Sequence, residues 1–195
     1  MAFVDAVKLT DNGIRLEPLS LEHEEGLAMA AADGELWQLR VTHVPTANET
    51  RGYISKALDG RESGHRFPFA VINTQTSSVL GTTSYHDIVP DIRRVEIGHT
   101  WYAKGAQRTH VNTTCKLLLL THAFDTLNCN VVGWRADSLN NISQRAIERL
   151  GAKKDGIIRG HALRHDGTIR DTVMYSLTKE EWPDIAERLT RLLDR

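Results

Sequence analysis

Cysteine is scarce in this chain: Cys115 and Cys129 are the only two in 195 residues. That is too few for a disulfide framework or a cysteine-rich metal site. Both lie in apolar surroundings, so a reducing cytoplasm is the expected compartment. Cys115, next to Leu117–Leu120, is expected in the core and not as a nucleophile. Excess charge is missing too. The 24 basic and 25 acidic side chains leave a formal charge of −1, and no global field draws the protein to nucleic acid or to an anionic membrane. Trp37, Trp101, Trp134 and Trp182 are scattered, with no basic stripe between them to suit a nucleic-acid surface. Long apolar runs are absent as well. The longest aliphatic stretch is Leu117 to Leu120, and the N-terminus carries Asp5 and Lys8 instead of a basic segment followed by an apolar one. Neither a membrane span nor a secretory signal is expected. With no repeat, low-complexity tract or linker rich in Pro, Gly or Ser, residues 1–195 read as one domain.

What is present is an ordinary globular composition, 41% hydrophobic and 25% charged, with clear periodicities. Ile14 to Leu19 reads as a strand, and Ser20 caps a helix carrying Leu27, Ala28 and Ala31. Thr46 and Glu49 have capping-box spacing ahead of Tyr53, Ile54, Ala57 and Leu58, with Gly60 as the expected stop. Phe67–Ile72, Val79–Ile88 and Arg93–Tyr102 predict an antiparallel meander. Val111 to Leu127 is apolar nearly all round and predicts a buried helix. Val131–Ala136 then reads as a strand and Ser143–Leu150 as a helix closed by Gly151. Ala152–Arg164 and Thr168–Leu177 flank Asp166-Gly167, a strong hairpin signal, before an amphipathic end with Trp182, Ile185, Leu189 and Leu192. The sum is a mixed sheet covered by helices.

Three fragments hold residues suited to chemistry. In the strand around Ile97, alternation sets Glu96, Gly98 and Thr100 on one face. A carboxylate in such a run needs a partner, and Gly98 invites close approach of a ligand or backbone. Glu96 is either a cleft carboxylate or half of an ion pair with Arg93 or Arg94. Lys104 to Thr114 is polar or small, and leads into a helix whose free N–H groups, beside Arg108 and Lys116, suit a phosphate; an ordinary capped helix start is the alternative. It is neither a Walker loop nor a dinucleotide fingerprint. Asp137, Asn140 and Ser143 recur at three-residue intervals, either as ligand contacts or as helix caps. His161 and His165 are four apart but fall on the hairpin, and no carboxylate or thiol completes a ligand set, so no metal is expected.

Taken together, these segments resemble the GNAT superfamily of acyl-CoA-dependent N-acetyltransferases, and most closely its RimJ/RimL-like branch. The resemblance runs from Ile14-Arg15-Leu16-Glu17-Pro18-Leu19 through Val95-Glu96-Ile97-Gly98 and Val111-Asn112-Thr113 to Arg170–Leu177, with Asp137-x-x-Asn140-x-x-Ser143 and Leu150-Gly151-Ala152 its most telling stretch. It implies an α/β (α+β) fold with a mixed, mostly antiparallel central sheet flanked by helices. The superfamily's pyrophosphate loop reads Gln/Arg-x-x-Gly-x-Gly/Ala. Here Gln107 keeps the first position, while His110 and Asn112 stand where small residues are usual.

The resemblance implies that Ile97, Gly98, His99 and Thr100 pair their backbone with the pantetheine of acetyl-CoA. Gln107, Arg108, Thr109, His110, Val111, Asn112 and Thr113 would wrap the pyrophosphate, Asn140 would hold the pantetheine, and Arg145 would join Arg108 on the phosphates. Ser143 would protonate the leaving thiolate and Glu96 would act as base, with His86 or His99 as the alternative proton acceptor. Such chemistry needs no metal. The implied acceptor is an amine, either a small molecule or a peptide N-terminus. Two rivals remain, a non-catalytic acyl-CoA sensor and a transferase of a larger acyl group such as succinyl. The hairpin and the terminal amphipathic segment offer surface for a homodimer.

Overall fold

The computed structural model describes residues 3–194. Its centre is an eight-stranded sheet in the order β1-β2-β3-β4-β5-β6-β8-β7. The chain enters through a short hairpin, β1 (Leu9–Asp11) and β2 (Ile14–Pro18). Asn12 and Gly13, at φ 43° and 74°, turn the chain between them, as a two-residue hairpin requires. The capping boxes at Ser20 and Thr46 both form. Each opens with a 3₁₀ turn that runs on into a helix, α1 (Glu24–Ala32) and α2 (Thr50–Glu62) respectively. Gly60 does not stop α2. The helix continues to Glu62, and a Cβ at position 60 would come 3.1 Å from Cβ of Arg66. Gly60 is therefore a point of close approach to the sheet, and Gly64, at φ 75°, makes the turn.

The meander is β3 (Arg66–Asn73), β4 (Val79–Val89) and β5 (Arg94–Tyr102), antiparallel throughout. From β5 the chain crosses over through α3 (Val111–Thr121), which loosens into a π-helical turn over His122–Thr126. It returns as β6 (Val131–Asp137), parallel to β5. Next come α4 (Asn141–Leu150), ended by Gly151 at φ 99°, the β7 (Lys153–Leu163) and β8 (Ile169–Thr178) hairpin, and α5 (Trp182–Leu193).

Two apolar layers sandwich the sheet. Leu27, Ala30, Ile54 and Ala57 of α1 and α2 pack with Ala70, Ile72 and Trp101 on one face. Cys115, Leu119 and Leu120 of α3 and Leu189 of α5 pack with Phe69, Val71, Tyr85 and Ile97 on the other. Cys115 and Cys129 are both free and buried. Burial pushes the Cys115 thiol up to about 12, which suits a core residue and not a nucleophile. Among the described residues, no helix is long and apolar enough to cross a membrane.

Candidate active site

Among the strand pairings, β5–β6 alone is parallel, and it is short. Arg94, Val95 and Glu96 align with Val131, Val132 and Gly133, and the pairing goes no further. From Ile97 onward β5 has no strand beside it on that side, so the sheet opens into a cleft. Parallel strands carry their C-terminal ends to the same edge, which is why the loops entering α3 and α4 both border this opening.

At the α3 side, the amides of Arg108, Thr109, His110, Asn112 and Thr113 have no hydrogen-bond partner among the described residues, and only that of Val111 is taken, by the Thr109 hydroxyl at 3.3 Å. Amides left free at the start of an 11-residue helix make a site for an anion. The loop is braced from below, with the Gln107 side chain donating to the Tyr102 carbonyl at 2.9 Å and Thr109 to Ala106 at 2.7 Å. Arg108 sits at φ 61°, so loop shape is reached without glycine at 110 or 112.

On β5, the pairing of Thr82 with Trp101 but of Ser84 with Gly98 leaves one residue too many, a bulge in which His99 takes φ 47°. The bulge reverses the expected alternation. Thr100 turns away from Glu96 and towards α3, where its hydroxyl lies 2.8 Å from that of Thr83 and 3.1 Å from Nζ of Lys116. Lys116 is 5% exposed and has no carboxylate partner among the described residues. Burial lowers its pKa to about 8.

Glu96 adopts the second role left open by its sequence, an ion pair. It is 2% exposed, and Arg94 and Arg135 each donate from Nη2 to its Oε1 at 3.2 Å. Nε of Arg135 lies 2.7 Å from Oε2, with its N–H turned off the bond axis. Arg135 also holds Asp87 at 2.9 Å, and Asp87 holds Nδ1 of His86 at 2.6 Å. His86, Asp87 and Glu96 bring donor atoms within 4.8 Å of one another, but the Arg135 guanidinium already meets both carboxylates.

At the α4 side, the N-cap is Asn140, whose Oδ1 accepts from the Ser143 amide at 3.0 Å. Its Nδ2 makes no hydrogen bond among the described residues. Asp137 is buried, accepting from Arg164 Nε at 2.6 Å and Nη2 at 2.9 Å and from the Leu139 amide at 2.9 Å. Burial raises its pKa, but the guanidinium and the amide prevail and hold it below the usual carboxylate value.

A family model described as an acetyltransferase (GNAT) domain matches residues 14–153, most of the chain. The chain belongs to the GNAT acetyltransferase family. Its fold superposes on a GCN5-related N-acetyltransferase from Brucella melitensis with a TM-score of 0.87 at 28% identity, covering 97% of this chain and 86% of that one. It is 35% identical over 105 residues to YdaF of Bacillus subtilis (strain 168), whose name carries a provisional assignment as a ribosomal N-acetyltransferase. That match covers 54% of this chain and 56% of YdaF. Mycobacterium smegmatis RimJ in complex with CoA-disulfide shares the fold, with a TM-score of 0.77 at 18% identity over 96% of this chain and 93% of RimJ. The chain is an N-acetyltransferase.

Within this GNAT fold the cleft brings together most of the residues singled out by sequence. Ile97, Gly98, His99 and Thr100 lie on the open part of β5, Gln107–Thr113 at the start of α3, and Asn140, Ser143 and Arg145 in the first turns of α4. His161 is on β7, with Nδ1 3.0 Å from the Thr172 hydroxyl, and makes no hydrogen bond or ion pair with a carboxylate or thiol among the described residues. Sequence reasoning missed Asp87 and Arg135. They come from β4 and β6, on either side of β5, and no local spacing links them. The one local trace of Asp87 is that it follows a histidine at the end of a strand.

Proposed function

We propose that this GNAT enzyme transfers an acetyl group from acetyl-CoA to a primary amine. The observation that carries the reading is the row of free amides at the start of α3, opening onto an unpaired strand edge. Together they offer an anion cradle and an extended backbone partner, the two things that a diphosphate with an amide-bearing arm requires. The RimJ complex with CoA-disulfide supports the same ligand class here.

In this proposal the backbone from Ile97 to Thr100 pairs with the pantetheine arm, and a backbone N–H of this strand stabilises the oxyanion as the amine adds to the thioester carbonyl. The amides from Arg108 to Thr113 hold the pyrophosphate, with Gln107 bracing their loop. Arg108 and Arg145, both exposed, supply guanidinium groups to the remaining phosphate. Asn140 binds the arm through Nδ2, since Oδ1 is spent on the cap, and the Ser143 hydroxyl protonates the departing thiolate. Glu96 sits between Arg94 and Arg135 and fixes Arg135 against Asp87. No metal enters the scheme.

The acceptor is a protein N-terminus or a small amine, and the YdaF name supports the first. The enzyme works in the cytoplasm as one domain over residues 1–195. A homodimer is part of the proposal, because the edge strand β7 and its hairpin expose Ile157, Ile158, Leu163 and Ile169. Thiol release from acetyl-CoA and from succinyl-CoA, with alanyl and seryl peptides, free amino acids and spermidine as acceptors, tests the reading. Turnover of acetyl-CoA with any of these supports it. Binding of acetyl-CoA without turnover would point to a sensor, and preference for succinyl-CoA to the larger-acyl transferase.

A further inference from the structure

We propose that His86, oriented by Asp87, is the general base that deprotonates the attacking amine. The inference rests on the acetyltransfer reading and adds a group to it. In a regular strand, neighbouring side chains point to opposite faces. Asp87 escapes this by adopting φ 44° at a shift of register between His86 and Val89, so its carboxylate comes round beside the His86 ring. Oδ2 then lies 2.6 Å from Nδ1. A left-handed aspartate inside a strand costs free energy and persists only where its surroundings hold it. Here they do, because Arg135 of β6 grips the other oxygen at 2.9 Å.

With Nδ1–H given to Asp87, the lone pair of the ring sits on Nε2. Nε2 has no hydrogen-bond partner among the described residues. It lies against Gly98, where an added Cβ would come within 2.3 Å of it. Only glycine leaves room for the ring at this point, which is where β5 has lost its β6 partner and the cleft begins. Glu96, directly across from His86 in the register, already accepts from two guanidinium groups, whereas Nε2 of the ring is unengaged among the described residues.

The charged and titratable groups around His86 come from every neighbouring element. They are Arg66 opposite it on β3, Asp87 beside it, Arg94, Glu96 and His99 on β5, Arg135 on β6, and Tyr53 of α2 and His43 further out. His99 stacks edge-on at 5.1 Å. His99 is exposed as a residue, but the packing of its ring and the nearby Arg66 charge lower its pKa to about 3, so it adds no competing positive charge. The hydrogen bond from His86 and the Arg135 charge, working against burial, keep the Asp87 carboxyl well below its ordinary value.

In the step itself, Nε2 takes a proton from the amine as its nitrogen bonds to the thioester carbonyl carbon. The C–S bond then breaks with its electron pair on sulfur. The thiolate takes up a proton, and the imidazolium returns its own to solvent.

The test uses acetyl-CoA with alanyl and seryl hexapeptides and spermidine, reading thiol release against pH. His86→Gln should lower kcat by about 10²–10⁴-fold. The KM for acetyl-CoA and the far-UV circular dichroism should be unchanged, and the acidic limb of the rate profile lost. Added imidazole should restore part of the turnover of His86→Ala. Independently of activity, ¹⁵N NMR should show the Nδ1–H tautomer of His86 in the wild type and its loss in Asp87→Asn. Wild-type turnover and an intact acidic limb in His86→Gln would overturn the proposal, as would an Nε2–H tautomer in the wild type. A wild-type protein that releases no thiol with any of these amines would overturn the acetyltransfer reading and this base with it.

Discussion

Asp137 and Lys116 are both buried charges, and their environments treat them in opposite ways. Asp137 is enclosed by Arg164, with side chains 1% and 7% exposed respectively. Removing the guanidinium leaves a buried carboxylate held only by the Leu139 amide, a change that costs about 3–5 kcal/mol. Arg164→Met should lose about that much at neutral pH in urea melts. Because the Asp137 pKa is lowered on folding, its contribution is present above the unfolded value near 3.9 and fades as pH falls through the folded one. The gap between wild type and Arg164→Met should therefore close in acid. Lys116 meets hydroxyls but, among the described residues, has no carboxylate partner, and its pKa falls to about 8 on folding. The unfolded chain, with a value near 10.4, binds the extra proton between these limits. Stability of the wild type relative to Lys116→Met should then rise from pH 8 to about 10.5. A flat difference across that window would mean that the ammonium is better solvated than its 5% exposure suggests.

Helix and strand ends repay attention in the same way. Asn140→Ala removes the cap of α4 and should cost about 1 kcal/mol of stability, read by the same melts. If its Nδ2 also holds the pantetheine, acetyl-CoA affinity in titration calorimetry should fall by about 1–3 kcal/mol. Features of this kind were legible in the sequence because they are local. Ser20 and Thr46 each bond three residues on, Asp166-Gly167 closes its own turn, the period of 2 marks the meander, and a run apolar nearly all round marks α3 directly. β1 was missed because a strand of three residues carries no periodicity; the signal was the Asn12-Gly13 turn beside it. The bulge at His99 was beyond reach for a different reason. An extra residue exists only relative to the strand that it fails to match, so the face of Thr100 depends on Thr83, 17 residues earlier. The Glu96–Arg135–Asp87 cluster likewise joins three strands, and the sequence showed only the neighbouring candidates Arg93 and Arg94, of which Arg94 pairs with Glu96 while Arg93 turns to the Leu127 and Asn128 carbonyls.

For the molecule as a whole, acetyl-CoA at one hundred times its Kd should add about 2.7 kcal/mol to the native state. For a chain of this size that is a rise in Tm of about 5–10 °C, and NAD or ATP at equal concentration should give far less in the same thermal scan. The ligand's location bears on how the stabilisation is distributed. The sheet is two blocks, β1 to β5 and β6 to β8, and the strand pairing between them is only the three-residue register of Arg94, Val95 and Glu96 with Val131, Val132 and Gly133, against seven pairs from Val131 to Asp137 along β8. A seam that short is where partial opening should be easiest, with each block keeping its own hydrogen bonds. A molecule lodged beyond the seam completes the missing part of the ladder. Saturating acetyl-CoA should thus slow deuterium uptake most at residues 94–100, 108–113 and 131–134, while the β1–β2 and β7–β8 hairpins exchange as before. The seam in the sheet would be most nearly closed while the enzyme holds its substrate, and each round of product release would leave it to three residue pairs, the shared core and the Arg135 clamp.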